Sequence, residues 1–142
     1  MAYDPNNLFA RIVRGEIPCI RVHEDAHTLA FMDIMPQADG HTLVVPKAAG
    51  ENLLDTPPES VVAAILATQR VARAVRRAFD APGLVVTQFN GSPAGQTVFH
   101  LHFHVIPVHS GGRWHAHARA KAQPEILEQH AALIRAALAA AG

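Results

Sequence analysis

The sequence predicts a single domain in which five short β-strands are mixed with three helices. The chain has 142 residues, 49% of them apolar, which is enough for one hydrophobic core. Five segments have the β-branched or alternating composition of strands, and three repeat apolar residues at helical intervals of three and four. Because the chain is long enough for one core but not for two, we expect residues 1–142 to form one domain.

The N-terminal part predicts a short helix followed by a hairpin. Asn7 can cap a helix over Leu8–Arg14, and Gly15 after it offers a left-handed exit. Strands are predicted over Ile20–Glu24 and Thr28–Asp33, with a tight turn between them. The two strands are therefore expected to pair with each other.

The middle of the chain predicts a third strand and the longest helix. The strand covers His41–Val45, so that His41 lies at a loop-to-strand junction, a common place for a functional side chain. The helix runs from Pro57 to Phe79, with Thr56 as its N-cap and Glu59 completing a capping box. Its predicted packed face consists of Val61, Ile65, Thr68, Ala72, Val75 and Phe79. Its arginines are interpreted as a solvated face, namely Arg70, Arg73, Arg76 and Arg77.

The C-terminal part predicts two more strands, a glycine-containing loop between them and a last helix. The first strand covers Leu84–Phe89, and the second contains a run of histidines. The loop over residues 90–97 can present backbone N–H groups to an anion. A helix is predicted from Pro124 to about Ala140, with an apolar stripe of Ile126, Leu127, Leu133, Ile134 and Leu138.

Three histidines at alternate positions limit the chemistry of the chain most tightly. His100, His102 and His104 would share one face of a strand, in a row about 13 Å long. A zinc site is one interpretation, but the outer rings of such a row converge poorly on an ion with bonds of about 2.1 Å. An exposed polar strand face is the second. The third, which we favour, is catalysis on phosphorus, in which one imidazole attacks and another donates a proton.

Composition excludes several other classes of function. Twelve basic and twelve acidic side chains give a formal net charge of zero, so neither nucleic acid nor an anionic membrane is an expected partner. The single cysteine, Cys19, excludes an internal disulfide. The N-terminus lacks the features of a signal peptide, and the apolar runs are too short to span a bilayer. These features predict a cytoplasmic protein.

The run His100–Ile106, preceded by Gly95–Val98, resembles the motif of the histidine triad hydrolases and transferases. Similar segments at Phe9–Pro18, Ala30–Gln37 and Gly40–Lys47 extend the resemblance over roughly residues 4–110, most closely to the Hint branch of purine nucleoside phosphoramidases. The resemblance implies an α+β fold with a five-stranded antiparallel sheet, which joins a second sheet across a homodimer. The segment 111–142, with its extra C-terminal helix, would be an extension of this core.

The resemblance also implies a role for each candidate site residue. His102 would be the nucleophile that takes the nucleotidyl group, and His104 would contact the scissile phosphate and the leaving group. His100 and His41 would support the protonation state of the nucleophile, and Asp33 would bind ribose. The implied walls around a purine base are Phe9, Ile12, Ile17, Phe31 and Ile34, and the implied phosphate contacts are Asn90, Gln96 and Thr97. Without the resemblance, the wall residues would equally be ordinary core.

The expected activity is hydrolysis of a nucleotide conjugate, with a purine nucleotide as the small-molecule partner and no cofactor. Two alternatives are a dinucleoside polyphosphate hydrolase, as in the Fhit branch, and a nucleotide-binding interaction protein with incidental activity. No metal is expected, because Asn7 and Ala10 stand where some bacterial members have the Cys-x-x-Cys of a structural zinc site. Trp114 has no assigned role beyond a possible reach to the partner subunit.

Overall fold

A five-stranded antiparallel sheet forms the centre of the molecule, as the resemblance implies. The structure, a computed structural model, describes residues 2–109 and 120–141. Along the sheet the strands follow the order β1-β2-β3-β5-β4. The strands are β1 (Arg21–Glu24), β2 (Thr28–Met32), β3 (Thr42–Pro46), β4 (Gly83–Thr87) and β5 (Phe103–Val108), and the α-helices are α1 (Leu8–Val13), α2 (Pro58–Ala78) and α3 (Pro124–Ala140).

The strand register divides the sheet into a helix-covered face and a face that carries histidine. Ala30 pairs with Val44, and Val44 pairs with Phe103, so these side chains share the face packed by α2 and α3. Leu43 pairs with His104, which places His104 on the opposite face with a smaller cluster around α1. The site therefore lies on the α1 side of the sheet, away from the two long helices.

The start of the first helix agrees with the sequence prediction. The side-chain oxygen of Asn7 accepts a hydrogen bond of 2.9 Å from the backbone N–H of Ala10, which is the predicted N-cap. The helix ends one residue early, at Val13, and Gly15 follows in a left-handed conformation with φ +79°. This short helix carries Phe9 to the sheet face on which His104 lies.

The predicted cap of the long helix is wrong. Pro57 occupies the N-cap position without a side-chain hydrogen bond, and α2 starts at Pro58. The Thr56 hydroxyl instead donates to the carbonyl of Asn52 at 2.7 Å, within the preceding loop. Gly50 packs so closely against Thr56 that a Cβ atom at residue 50 would overlap it. Tight packing of this loop thus directs the Thr56 hydroxyl away from the helix.

The packed face of α2 consists mainly of alanine and valine, whereas that of α3 combines alanine with leucine and isoleucine. In α2 the buried residues are Ala64, Ala67, Thr68, Val71, Ala74 and Val75, whereas Ile65 of the predicted stripe is 45% exposed. In α3, Leu127 and Ile134 are buried as predicted, together with Ala131, but Leu133 is 49% exposed. Short side chains allow the helices to approach the sheet and each other closely. The four arginines of α2 are exposed, as predicted.

None of the described helices is both long enough and apolar enough to cross a bilayer.

Candidate active site

The three alternating histidines do not form the straight row that the sequence predicts. Strand β5 begins at Phe103, so His104 lies on the strand whereas His100 and His102 precede it. The cause is tertiary: the backbone N–H of Leu101 donates to the carbonyl of Gly50 at 3.0 Å, which bends this segment toward another loop. His102 and His104 remain neighbours, with ring centroids 5.0 Å apart, while His100 is almost completely buried.

The hydrogen bond of His102 determines which of its ring nitrogens is available. Its Nδ1 lies 2.7 Å from the carbonyl oxygen of His100, which can only accept, so Nδ1 carries the proton. In the neutral ring Nε2 then keeps its lone pair. Burial lowers the pKa of His102, which favours this neutral form, and the Phe9 ring packs against the imidazole with centroids 4.8 Å apart. Nε2 is thus the ring nitrogen of His102 that keeps a lone pair.

His41 and His104 form a second ordered pair. The backbone N–H of Gln37 donates to His41 Nδ1 at 3.0 Å, so the neutral ring of His41 carries its proton on Nε2. That nitrogen lies 3.0 Å from His104 Nδ1, which therefore accepts. His104 is left with its proton on Nε2, as a donor toward a ligand. Burial, together with the neighbouring histidines, lowers the pKa of His41 to about 3 and that of His104 to about 4.

Asp33 lies beside this pair, directly after β2. Its Oδ1 accepts a 2.8 Å hydrogen bond from the backbone N–H of Met35, and its Oδ2 lies 3.4 Å from His41 Nε2. Burial raises the pKa of Asp33 to about 6, although the Met35 hydrogen bond opposes the increase. The carboxyl group is thus fixed in orientation and ionises within the neutral range.

The same three side chains are a candidate metal-binding group. Asp33, His41 and His104 each offer a ligand atom, and these atoms lie within 4.8 Å of one another. Two histidines and a carboxylate are also a ligand set of catalytic zinc. Their hydrogen bonds disfavour it, because the Gln37 N–H leaves His41 Nε2 protonated rather than with a free lone pair. A metal would have to displace the proton between the two rings, and the absence of a metal remains our prediction.

The predicted wall residues divide into core and surface positions. Phe9 and Phe31 are buried, with ring centroids 5.4 Å apart, and both belong to the cluster under His104. Ile12 packs on this cluster, Ile17 is partly exposed, and Ile34 is 50% exposed next to Asp33. Phe9 contacts His102 directly, whereas contact of the wall residues with a base stays a prediction.

The loop before the histidines is organised by Gln96. The Gln96 amide donates to the carbonyls of Glu51 at 2.6 Å and Val98 at 3.0 Å. Its oxygen accepts from the N–H of Gly91 at 2.8 Å and from the Asn52 amide at 3.4 Å. Gln96 is thus buried among protein partners, and its contact with phosphate stays a prediction.

The other two predicted phosphate contacts differ in exposure. Asn90 is partly buried, and its side-chain oxygen accepts from the N–H of Leu53 at 3.0 Å. Thr97 is exposed. Trp114, together with the rest of the segment 110–119, lies outside the described residues.

Sequence reasoning missed the groups that fix the ring nitrogens. The Tyr3 hydroxyl lies 2.6 Å from His100 Nδ1, and the Pro46 carbonyl lies 2.7 Å from His100 Nε2. The Gln37 N–H fixes His41 in the same way. The Pro46 carbonyl and the Gln37 N–H are backbone groups, which no side-chain pattern in the sequence reveals. Tyr3 lies 97 residues from His100 and belongs to no local motif.

Comparison with known proteins identifies close relatives. The HIT domain model matches residues 14–111. This range includes the four central histidines of the candidate site, His41, His100, His102 and His104. A Hit-like protein of Bartonella henselae has 51% sequence identity and a TM-score of 0.90, over 96% of this chain and 99% of that one. Protein hit of Bacillus subtilis is 42% identical over 118 residues, 80% of this chain and 81% of its own. A third relative, named adenylylsulfatase HINT3, from Arabidopsis thaliana, is 36% identical over 100 residues, 70% of this chain and 51% of its own.

Proposed function

Because the chain belongs to the HIT family, whose members are nucleotide-binding hydrolases, we propose that it cleaves the α-phosphate P–N or P–O bond of nucleoside monophosphate conjugates. The reaction would pass through a nucleotidyl group on His102. The observation that carries this proposal is the 2.7 Å hydrogen bond from His102 Nδ1 to the His100 carbonyl, which leaves Nε2 with its lone pair in a buried neutral ring. A neutral imidazole nitrogen is the nucleophile that this chemistry needs.

In the first step His102 Nε2 forms a bond to the α-phosphorus, and the P–N or P–O bond to the leaving group breaks. A leaving amine must gain one proton. His104 would supply it, and support comes from its Nε2–H, which ends the hydrogen-bond chain from Gln37 through His41. The free pair is uncharged at neutral pH, since the pKa values are about 3 and about 4. The negative charge of a bound phosphate favours a charged pair, which then acts as the acid.

In the second step water attacks the phosphorus of the cationic nucleotidyl-His102. The P–N bond to His102 breaks, its electron pair returns to Nε2, and the proton lost by water returns to His104. The products are a nucleoside monophosphate and the free amine or other leaving group. The enzyme ends with the protonation states with which it began, so no cofactor is required.

Binding of the nucleotide is assigned to the groups around this pair. Asp33 would accept hydrogen bonds from the ribose hydroxyls, because one of its oxygens is not used by Met35. Phe9, Ile12, Ile17, Phe31 and Ile34 would surround a purine base, and Asn90, Gln96 and Thr97 would contact phosphate. His100 supports His102 through its carbonyl, and His41 acts through its hydrogen bond to His104.

Two other functions remain alternatives. A dinucleoside polyphosphate hydrolase would use the same nucleophile but release a nucleotide that needs no proton. An interaction protein would bind nucleotide and turn it over slowly. The relative named adenylylsulfatase favours a nucleotidyl group with a small leaving group. Turnover of an adenosine phosphoramidate should therefore exceed that of a diadenosine polyphosphate. If the protein turns over neither substrate, the nucleotide-binding interaction protein is the remaining alternative.

The nucleophile can be tested directly. We expect His102→Ala and His102→Gly to abolish turnover of the phosphoramidate while nucleotide binding survives, because only the bond to phosphorus is lost. His104→Ala should cost less, about 10²- to 10⁴-fold, as loss of a positioned acid does. Binding is measured by calorimetry, and acid quench of the wild-type enzyme should trap labelled phosphorus on His102. His27→Ala, at an exposed histidine, is the control and should turn over normally. Turnover by His102→Ala would disprove the assignment.

The assembly is part of the proposal. We propose a homodimer in which the sheets of two copies join, and a single domain in which residues 111–142 extend the core of residues 4–110. Support for the dimer comes from β4, which within residues 2–109 and 120–141 pairs with β5 alone and forms an edge of the sheet. Support for the single domain comes from α3, which packs against α2 in one cluster with the sheet.

A further inference from the structure

Tyr3 lies next to the candidate active site, although it comes from the segment before α1. Its hydroxyl oxygen lies 2.6 Å from Nδ1 of His100, and the two rings meet edge to face with centroids 5.8 Å apart. His100 is 1% exposed. Tyr3 therefore contacts the histidine whose carbonyl orients His102.

The proton positions in this contact follow from the other side of the ring. His100 Nε2 lies 2.7 Å from the carbonyl oxygen of Pro46, which only accepts, so Nε2 carries a proton. In the neutral ring Nδ1 then has a lone pair, and the Tyr3 hydroxyl is the donor. Burial lowers the pKa of His100, and the Pro46 carbonyl opposes that decrease. The Tyr3 hydroxyl opposes protonation at Nδ1.

We propose that Tyr3 is a positioning residue for the nucleophile, which keeps His100 in its neutral Nε2–H form and so holds the His100 carbonyl against His102 Nδ1. The chain of contacts is continuous: Tyr3 hydroxyl to His100 Nδ1, Pro46 carbonyl to His100 Nε2, and His100 carbonyl to His102 Nδ1. In this proposal Tyr3 acts through His100 rather than on the substrate.

The charge of His100 matters because His102 becomes cationic when it carries the nucleotidyl group. A proton on His100 Nδ1 would place a second positive charge two residues from His102, and such a charge lowers the pKa of His102. Both effects weaken the nucleophile and destabilise the intermediate. Removal of the Tyr3 hydroxyl leaves Nδ1 open to protonation, so the damage should grow as the pH falls.

Three titratable groups from the neighbouring segments act on the contact between Tyr3 and His100. His102 interacts electrostatically with His100, and Asp4 and Arg14 act on the Tyr3 hydroxyl from the N-terminal segment and the end of α1. The Asn7 side chain acts to lower the pKa of Tyr3. Burial is the largest influence on Tyr3 and raises its pKa, so the hydroxyl keeps its proton as a donor over the whole range tested.

The first test needs no activity. In the full chain with ¹⁵N-labelled histidine, imidazole nitrogen shifts should identify His100 as the Nε2–H form, with His100→Gln used for assignment. In Tyr3→Phe the ring contact remains but the hydroxyl is lost, and the pKa of His100 should rise toward that of free histidine. Asp4→Ala is the control: it removes the acceptor for the N–H of Asn6 in the same segment but leaves the hydroxyl in place.

The second test rests on the proposed function. For Tyr3→Phe, kcat/KM with the phosphoramidate should equal that of wild type near pH 8 and fall about three- to tenfold near pH 5.5, the size expected for one neutral hydrogen bond. The Asp4→Ala profile should follow wild type. If no substrate is turned over, the proposed function fails while the titration still decides the role of Tyr3. An unchanged His100 titration in Tyr3→Phe, or the same shift in Asp4→Ala, would overturn the inference.

Discussion

Each of the four central histidines has one ring nitrogen committed to a partner that decides its tautomer. Carbonyl oxygens fix His100 and His102, the Gln37 N–H fixes His41, and His41 fixes His104. In the proposed mechanism the reactive nitrogens are those left over, a lone pair on His102 and an N–H on His104. The order of roles thus follows from backbone geometry around the side chains rather than from the histidines themselves.

These histidines should make the protein sensitive to acid. The pKa values of His41 and His104, about 3 and about 4, lie below the 6.5 of free histidine, so below pH 6.5 the unfolded chain binds protons first. Asp33, with its pKa raised to about 6, acts in the opposite direction between pH 6 and pH 3.8 but is a single group. The free energy of unfolding should therefore fall by about 2 kcal/mol between pH 6.5 and pH 5.

Urea unfolding at several pH values measures this decrease. His41→Asn should flatten the dependence, because the unfolded variant has one protonatable ring fewer. His27→Asn, at an exposed position, should leave the slope as it is in wild type. A stability that is constant or rises on acidification over this range would contradict the prediction.

At the scale of elements, local patterns predicted the approximate bounds of helices and strands but only part of the packed faces of the helices. The bounds of α3, Pro124–Ala140, agree with the sequence, because Pro124 and the helical period are local signals. The packed face of α2 does not, since the pattern cannot say whether Ala64 or Ile65 meets the sheet. The start of β5 at Phe103 depends on the Leu101–Gly50 hydrogen bond. The contact of Tyr3 with His100 depends on a fold that brings together two residues 97 positions apart. The site residues could be selected from a motif, but their partners required the tertiary structure.

The loop before His41 offers a test of how an element positions the site. Gly40 has φ +91°, and a Cβ there would lie 2.6 Å from the ring of Phe79, whereas Gly15 has φ +79° with open space around it. Both Gly→Ala changes carry the left-handed penalty of about 1 kcal/mol. Gly40→Ala should cost about 1–3 kcal/mol more from overpacking and also lower kcat, because His41 follows it. Denaturant unfolding and turnover compare the two variants, and equal losses would show that Phe79 moves aside freely.

The C-terminal helix should be part of the same cooperative unit as the sheet. Ile134 is fully buried in the main core cluster, whereas Leu133 beside it is 49% exposed. Ile134→Ala should lower the free energy of unfolding by about 2–5 kcal/mol, and Leu133→Ala by less than about 1 kcal/mol. Both variants should unfold in one transition by fluorescence and circular dichroism. A separate early transition of Ile134→Ala would show that α3 folds as an independent extension.

At the scale of the whole molecule, the described part of the chain leaves the β4 edge of the sheet unpaired, next to exposed apolar side chains. Strand β4 exposes its free edge, and Val86 on its helix-facing side is 46% exposed. Helix α2, which packs against β4, exposes the larger members of its apolar residues: Val62 at 54%, Ile65 at 45% and Leu66 at 57%. An unpaired edge beside apolar side chains is a surface that proteins normally cover.

A second copy of the chain is the occupant that we propose, because a two-fold axis would pair β4 with β4 and cover both α2 faces at once. Wild type should therefore sediment as a dimer at about 10 μM, and Ile65→Glu should dissociate it, since a carboxylate buried in an apolar interface costs several kcal/mol. Leu133→Glu on α3 places the same charge at a residue of similar exposure, 49% against 45%, and should stay dimeric. A monomeric wild type would refute the dimer, and dissociation by Leu133→Glu but not by Ile65→Glu would move the interface from α2 to α3.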